Sequence, residues 1–434
     1  MSPNRLRTAE RLGVFMNGAE VGLLARGQTG AVSFTYDASW LSRPTQLPIS
    51  RQLPLQEKPH VGRAVTNYLD GLLPDDPAVR ERLAAHAGAN GVQSFDLMSA
   101  VGRDCVGALQ FYPDGQSPGP LKAARGTPIS ERKIGQLLRN LRLNPLGVQP
   151  DSDFRISLAG AQSKTALLWL DGKWNLPTGP TATTHILKPS IGQLPEGPDL
   201  SLSVENEWLC LRLVHAFGLK AAQAEIVDFD GTRALVVERF DRAWDKRRLV
   251  RLPQEDLCQA LGFGPHQKYE AEGGPGIRAI MGLLDESDER DRDRRTFMKA
   301  QLVFWLIAAI DGHAKNYSVL IRPGGFALTP LYDIVSAEPH VNRRTLPIQR
   351  LKLAMAIGDN RHYRVREISG RHFQQTAARV GFAGIEGLLD EVAAQLPEAL
   401  EHVGNELPRQ FPLNVAEAIF GAITDRAAGL NRRL

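Results

Sequence analysis

Asp311 and Asn316 lie five residues apart in the segment DGHAKN (311–316), a spacing that suits phosphoryl transfer. That chemistry needs a carboxylate to orient the attacking hydroxyl and an amide or carboxylate to hold Mg²⁺, and protein kinases place such an Asp and Asn on one loop. The pattern alone is weak, because it is expected roughly once by chance in a chain of this length. A helix-capping Asp and a turn Asn are the simpler interpretation of the pair in isolation.

The surroundings of this pair favour the kinase interpretation. The strongly apolar stretch 302–310 (LVFWLIAAI) predicts a buried helix that ends at the loop. Asp333, in LYDIV, ends a predicted hairpin 22 residues after Asp311, where kinases place a metal-binding Asp. An Asp that terminates a strand is the alternative for Asp333, but the joint occurrence is harder to attribute to chance.

Lys188 lies in the predicted strand 185–189 (HILKP) and is a candidate for contacting ATP phosphates as a compact charge. An exposed strand lysine is the alternative. Glu207 falls within the apolar stripe of the predicted helix 203–217, where a carboxylate needs a cationic partner. We expect Lys188 to be that partner, with Glu205, on a more polar face, as the alternative carboxylate.

Two further segments are candidates for nucleotide contact. The stretch 156–168 (ISLAGAQSKTALL) is a loop of small residues, and such loops let backbone N–H groups approach phosphates. It is not a Walker A motif, because the second glycine before Lys164 is missing, and a plain surface turn is the alternative. Ser157 is either a phosphate acceptor or a turn former. The segment 237–241 (VERFD) lies where a connector between kinase lobes would meet adenine.

Turn and periodicity signals predict the elements that position these residues. Hairpins are expected at three dipeptides between apolar runs: Asn17-Gly18, Asp171-Gly172 and Asp230-Gly231. Helices are expected over three segments: 77–87, 130–142 and 203–217. GGPG (273–276) is interpreted as a loop that opens the helix IRAIMGLL. The order of hairpin, lysine strand, helix, hairpin, connector and helical region is that of a kinase small lobe followed by a large lobe.

Composition excludes several classes of protein. The 434 residues are 43% hydrophobic and 23% charged, which is ordinary for a globular chain, and the net charge of +4 does not argue for nucleic-acid binding. Three separated cysteines without CxxC spacing predict a reducing cytoplasm and no zinc site. The longest apolar run has nine residues, so no membrane span is expected. The motifs HExxH, GxSxG and GxGxxG in strand–turn–helix context are absent.

Seven strings together resemble the HipA family of toxin kinases from bacterial toxin–antitoxin modules: FRISLAGAQSKTALL, TTHILKP, VENEWLCLRL, ALVVERFDR, RLPQEDLCQALG, DGHAKNYSV and LTPLYDI. The likeness extends to NYLDGLLPDDPAVRERL in the first half and to RHFQQTAARV near the end, so it covers nearly the whole chain in order. Differences cluster in the loops 265–272, 286–295 and 338–350.

The resemblance implies an α+β, kinase-like fold of two lobes, similar to phosphoinositide kinases, with a mixed N-terminal lobe and a largely helical C-terminal lobe. We expect an N-terminal HipA subdomain over 1–150, small-lobe elements over 151–250 and the large lobe over 251–434. ATP and Mg²⁺ are the implied cofactors.

Residue roles follow from the same resemblance. Asp311 matches the family's catalytic base, Asn316 and Asp333 its Mg²⁺ ligands, and Lys188 its ATP-contacting lysine. Ser157 matches the serine that the family autophosphorylates, and a phosphate there would expel the loop that holds ATP and silence the kinase. The remaining nucleotide contacts implied are Ala159, Gly160, Ala161, Gln162, Ser163, Lys164, Glu238, Arg239, Phe240, His313, Ala314, Lys315 and Tyr332.

The resemblance also implies partners. They are a HipB-like helix-turn-helix antitoxin, operator DNA bound through it, and glutamyl-tRNA synthetase as the substrate whose phosphorylation would arrest growth. Arg379 matches a position near a family DNA contact, although one basic residue on a solvated helix face is weak evidence. The rival interpretations are a small-molecule or lipid kinase and a catalytically silent corepressor that acts with its antitoxin. The four intact residues Lys188, Asp311, Asn316 and Asp333 argue against a silent scaffold.

Overall fold

The computed structural model describes residues 10–148, 154–194, 197–342 and 346–431. The chain has an α+β fold in which a β-rich N-terminal part precedes a mainly helical C-terminal part, which confirms the expected fold class. In these ranges no helix combines the length and the apolar character that a membrane span requires.

The N-terminal region is built on a five-stranded antiparallel sheet with strand order β4-β3-β2-β1-β5. Its strands are β1 (Glu10–Met16), β2 (Ala19–Arg26), β3 (Val32–Tyr36), β4 (His60–Val61) and β5 (Leu109–Pro113). Four helices share one apolar core with them: α1 (Ala38–Leu41), α2 (Arg63–Gly71), α3 (Pro77–Ala87) and α4 (Ser94–Val101). Asn17 and Gly18 have φ values of 50° and 85°, as a type I′ turn requires, which confirms the first predicted hairpin.

The two predicted helices of this half have different outcomes. Helix α3 spans the predicted residues 77–87, because Asp76 accepts the Ala78 N–H at 2.8 Å and Gly88 ends it with φ 67°. The helix predicted over 130–142 is shorter: α5 covers Glu131–Arg139 and ends at Asn140. Asparagine is a poor helix former, and residues 140–144 close into turns instead.

The middle of the chain forms a six-stranded antiparallel sheet with strand order β12-β13-β9-β7-β8-β6. The strands from β6 to β13 are β6 (Gly126–Pro128), β7 (Thr165–Leu170), β8 (Lys173–Pro177), β9 (His185–Pro189), the short pair β10 (Gly192–Gln193) and β11 (Asp199–Leu200), β12 (Ala224–Phe229) and β13 (Thr232–Glu238). This confirms the hairpins at Asp171-Gly172 and Asp230-Gly231. The sheet begins at β6, before the division expected at residue 150, and that division stays a prediction.

The two faces of this sheet are covered by different helices. Ala234 and Val236 pack with α5, whereas Leu235 and Val237 pack with α6 (Ser203–Ala216), because successive strand residues point to opposite faces. Leu187 belongs to the α5 side, so its neighbour Lys188 points towards α6. The strand order therefore brings Lys188 to the face on which Glu207 lies.

The C-terminal region contains the largest core, shared with α6. Its helices are α7 (Leu257–Ala260), α8 (Ile277–Leu284), α9 (Arg290–Leu306), α10 (Glu338–Asn342), α11 (Gly370–Arg379), α12 (Ile385–Asn405) and α13 (Leu413–Leu430). Its strands are the pair β14 (Arg242–Asp245) and β15 (Arg248–Arg251), the sheet β16 (Gln254–Asp256), β17 (Ser318–Arg322) and β18 (Gly325–Leu328), and the pair β19 (Lys352–Ile357) and β20 (His362–Arg364).

The end of α9 corrects one expectation. The apolar stretch 302–310 was expected to be helical throughout, but the helix ends at Leu306. Ala308 has φ 49°, its N–H donates to Trp305 O at 3.2 Å, and the Ala309 N–H donates to Phe304 O at 2.8 Å. This is the Schellman ending, normally made by glycine. Apolar character alone does not reveal the stop, because 307–309 remain buried after leaving the helix.

A buried ion cluster joins the N-terminal region to the end of the middle sheet. Asp104 lies 3.0 Å from Arg242, 3.1 Å from Arg251 and 3.4 Å from Arg239. Asp241 pairs with Arg239 at 2.8 Å and with Arg242 at 2.9 Å. We call these five residues the hinge cluster. All five are buried, so each charge depends on the others for compensation.

Candidate active site

A cavity of about 560 Å³ lies where the middle sheet meets the helical region. Such a volume is typical of small-molecule sites. The predicted site residues in its wall are Ala159, Gly160, Ala161, Gln162, Lys164, Lys188, Glu207, Glu238, Arg239, Phe240, Asp311, His313, Lys315, Asn316, Tyr332 and Asp333. Ser163 and Ala314 belong to the same loops without lining the cavity, and Ser157 and Arg379 lie outside it.

Lys188 stands at the centre of the charged wall. Its Nζ lies 2.7 Å from Glu207 Oε1 and 2.7 Å from Asp333 Oδ1. Glu207 is therefore its partner, and the alternative Glu205 pairs with Arg233 at 2.7 Å instead. Burial alone would lower the pKa of Lys188, but the carboxylates of Asp333 and Glu207 outweigh burial and raise it. The ammonium therefore stays charged inside the wall.

Asp333 is held in a backbone conformation that L residues rarely adopt, with φ 58°. Leu331, two residues earlier, forms a parallel bridge with Ala221, which holds the segment against the chain that leads into the hairpin β12–β13. Burial would raise the pKa of Asp333, but Lys188 and then Lys164 outweigh it and hold the pKa well below its usual range. The site therefore contains a carboxylate that stays ionised and is aimed by a strained backbone.

The segment 311–316 forms a tight loop that ends in a 3₁₀ turn, Ala314–Asn316. Asn316 Nδ2 donates to the Asp311 carbonyl at 2.8 Å, and the His313 N–H donates to the same carbonyl at 2.8 Å. The Asp311 side chain is 50% exposed, whereas that of His313 is only 3% exposed. The Asp311 carboxylate is therefore accessible to a bound molecule, whereas the His313 side chain of the same loop is buried.

The phosphate-loop candidate is folded back on itself. Lys164 Nζ donates to the Ala159 carbonyl at 2.7 Å, and Gly160 adopts φ 98° next to this lysine. Burial lowers the pKa of Lys164 to about 8. Ser157 is fully buried, and its hydroxyl donates to the Leu72 carbonyl of the N-terminal region at 2.7 Å. In this arrangement the loop rests on the N-terminal region, and Ser157 does not face the cavity.

The three residues of the connector 238–240 line the cavity. The Arg239 N–H donates to Thr184 O at 2.9 Å, and the arginine side chain is committed to the hinge cluster. The Phe240 ring lies 5.7 Å from that of Tyr332, at an interplanar angle of 38°. Two aromatic faces at one end of the cavity suit a flat, apolar ring such as a base.

Several residues at the site were not anticipated from the sequence. Asp75 lies 2.9 Å from Lys315 and 3.1 Å from Lys268, and it brings the N-terminal region to the edge of the cavity. Tyr269 donates its hydroxyl hydrogen bond to Asp311 Oδ1. No local pattern signals these contacts, because each joins segments far apart in the chain. Asp75 does lie in a string that resembles the family, NYLDGLLPDDPAVRERL, and so does Asp256, in RLPQEDLCQALG; burial raises the pKa of Asp256 to about 6.

The cavity fits a nucleotide with a magnesium ion. Mg²⁺ keeps several waters and takes one or two protein oxygens together with phosphate oxygens, so Asp333 and Asn316 suffice. The Asn316 amide nitrogen is already engaged, which leaves its carbonyl oxygen as the available ligand. His313 Nδ1 is buried without a hydrogen-bond partner in the described structure.

Arg379 ends α11 and donates to the Gly358 carbonyl at 3.2 Å, away from the cavity. This contact engages one guanidinium nitrogen, Nη1, and does not test a role in DNA binding. That role stays a prediction.

Comparison with known proteins matches both halves of the chain to domains of one family. The family model for the HipA N-terminal domain matches residues 12–112, and the model for the HipA-like C-terminal domain matches residues 156–400. Y4mE of Sinorhizobium fredii, which carries the name of a kinase, is 35% identical over 427 residues, 97% of this chain and 98% of that protein. The serine/threonine-protein kinase toxin HipA of Shewanella oneidensis is 29% identical over 97% of this chain and 94% of its own length.

A solved structure agrees with these sequence relatives. The complex of Shewanella oneidensis HipA with HipB and its operator DNA contains a chain that superposes with a TM-score of 0.79 at 25% identity. The match covers 97% of both chains. The likeness confirms the expected fold over 97% of the chain, including the N-terminal region.

Proposed function

This chain belongs to the HipA family, and from that membership we propose that it is an ATP- and Mg²⁺-dependent serine/threonine protein kinase, the toxin of a toxin–antitoxin pair acting in the cytoplasm. The observation that carries the proposal is the convergence of Lys188, Glu207 and Asp333 beside the loop of Asp311 and Asn316 in one cavity. These are the residue types that phosphoryl transfer requires.

Each residue has a part that its position supports. Lys188 and Lys164, which line the cavity, would bind phosphate oxygens, and the connector 238–240 would accept the base through its backbone. Asn316 and Asp333 would hold Mg²⁺, which neutralises charge on the transferring phosphoryl group. Asp311, which stays half exposed, would orient the acceptor hydroxyl and take its proton.

We propose further that Ser157 is a site of autophosphorylation that silences the kinase. Its hydroxyl is buried against Leu72, and a phosphate there would add roughly two negative charges to a space without solvent. The loop could not keep its present position, so Ala159–Lys164 would leave the cavity. The resemblance to the HipA family supports the choice of this serine.

The proposed partners are a HipB-like antitoxin, operator DNA bound through it, and glutamyl-tRNA synthetase as substrate. The Shewanella oneidensis HipA structure, which contains HipB and operator DNA, supports the first two. The synthetase rests on the family resemblance alone.

The test is transfer of labelled phosphate from Mg-ATP by the purified chain, with and without glutamyl-tRNA synthetase. Asp311→Ala and Asp333→Ala should each abolish transfer and leave the circular dichroism spectrum unchanged. Asp291→Ala is the matched control, because this carboxylate is 99% exposed on α9. Transfer that persists in both site variants refutes the assignment, and an unmodified wild-type chain that transfers nothing favours a silent corepressor.

A further inference from the structure

Tyr269 occupies a distinctive position beside the loop 311–316. Its hydroxyl donates a hydrogen bond to Asp311 Oδ1, and its ring meets the His313 ring edge to face at 5.0 Å and 81°. His313 Nε2 lies 3.6 Å from the same Oδ1. In the described part of the chain, Oδ2 of Asp311 accepts no hydrogen bond, so one carboxylate oxygen is held and the other is open.

The tyrosine is carried by a short segment that is anchored on both sides, residues 268–270, which we call the strap. On one side Lys268 Nζ lies 3.1 Å from Asp75 in the N-terminal region. On the other side Glu270 accepts the Ala356 N–H at 2.6 Å and lies 3.3 Å from Arg361. The hydroxyl is therefore placed by charged contacts to two other parts of the molecule.

The chemical state of the hydroxyl suits a hydrogen-bond donor. Burial, and then the charge of Asp311, raise the pKa of Tyr269 far above its ordinary value. The phenol consequently keeps its proton throughout the neutral range.

We propose that Tyr269 is a positioning residue of the phosphoryl transfer: it fixes the Asp311 carboxylate through Oδ1, so that Oδ2 faces the acceptor hydroxyl. This role rests on the proposed kinase function. In the transfer, the acceptor oxygen forms a bond to the γ-phosphorus, and the bond from that phosphorus to the β,γ-bridging oxygen breaks. ADP leaves with the electron pair, and the acceptor proton passes to Oδ2. An untethered carboxylate would meet the acceptor in the correct orientation less often.

The test is Tyr269→Phe in the full-length chain, which keeps the ring and removes the donor. The rate of transfer from saturating Mg-ATP is measured to glutamyl-tRNA synthetase and to the chain itself. We expect about a tenfold fall in this rate. ATP affinity and the KM of the protein acceptor should be unchanged, because Tyr269 does not line the nucleotide cavity. Tyr112→Phe, the same change in the N-terminal sheet, is the control and should keep the wild-type rate.

Other outcomes overturn the role. An unchanged transfer rate shows that the Tyr269 hydroxyl does not position Asp311. A faster rate shows that the hydroxyl only blocks the site that the acceptor hydroxyl would take. A fall in transfer rate with an equal loss of ATP affinity shows that Tyr269 only supports the structure of the site. If Tyr269→Phe does not fold, Glu270→Gln loosens the strap and should lower the rate less, again at constant ATP affinity; an unchanged rate there also overturns the role.

The two proposals fail differently. A wild-type chain without any transfer overturns the proposed function, and the role of Tyr269 falls with it. An active wild-type chain whose Tyr269→Phe variant transfers at the same rate overturns the role of Tyr269 alone.

Discussion

Asp104→Asn should destabilise the fold through the hinge cluster. The carboxylate contacts Arg239, Arg242 and Arg251 within 3.4 Å, and the substitution leaves three buried guanidinium groups facing the single carboxylate of Asp241. Removing one partner of a buried ion pair in this way lowers the free energy of unfolding by about 3–5 kcal/mol. An unfolding entropy of about 2.1 cal/mol/K per residue gives about 0.9 kcal/mol/K for 434 residues. The melting temperature should therefore fall by about 4 °C.

The dependence of this effect on pH tests its electrostatic origin. Burial alone would raise the pKa of Asp104, but Arg242, Arg251 and Arg239 hold it far below the usual range. A carboxyl whose pKa is lower in the folded state stabilises the fold above its unfolded value, about 3.9, and loses that contribution as the pH falls through the folded value. The difference in melting temperature between Asp104→Asn and wild type should be largest at pH 6 to 7 and should shrink below about pH 4.

The assay is differential scanning calorimetry of wild type, Asp104→Asn and the control Asp114→Asn across this pH range. Asp114 is an exposed carboxylate of the same region and should leave the melting temperature unchanged. An Asp104→Asn chain that melts with wild type at pH 7 would refute the reasoning, as would a difference that grows on acidification.

Three further changes have defined outcomes. Lys188→Met should lower phosphoryl transfer at least 100-fold while the chain stays folded, because Glu207 and Asp333 lose their shared cation; near-wild-type rates would contradict this. Ser157→Ala should abolish phosphate on the peptide that contains residue 157, as seen by mass spectrometry, and lower stability by about 1 kcal/mol through the lost bond to Leu72. Ala308→Gly should raise the melting temperature by about 1 °C, because φ 49° strains alanine; a fall would show that chain entropy dominates.

Local chemistry made much of the fold predictable. The dipeptides Asn17-Gly18 and Asp171-Gly172 specify hairpins, since both residues of a type I′ turn need positive φ. The segment 77–87 was predicted as a helix with a proline in its first turn, and α3 spans these residues. The ion pair of Lys188 and Glu207 was also accessible, because a carboxylate on an apolar helix stripe demands a cation.

What the sequence could not reveal depends on distant contacts. Tyr269 meets Asp311 across 42 residues, and Asp75 meets Lys315 across 240, so no local spacing connects them. The end of α9 was missed because Ala308 takes a conformation normally given to glycine, and alanine carries no signal of it. The roles of the site residues remain predictions until transfer is measured.

The resting place of the phosphate loop has a consequence for how the two halves of the chain communicate. Gly160 forms a parallel β-bridge with Pro74, and the Asp75 N–H donates to the Gly160 carbonyl at 3.4 Å. The position of the loop is therefore coupled to the N-terminal region. On the proposed role of this loop in nucleotide binding, linkage makes the coupling reciprocal. A ligand that stabilises the loop against residues 72–75 would then increase nucleotide affinity by the same free energy. Hydrogen exchange at the Asp75 amide would therefore report whether the loop is in place.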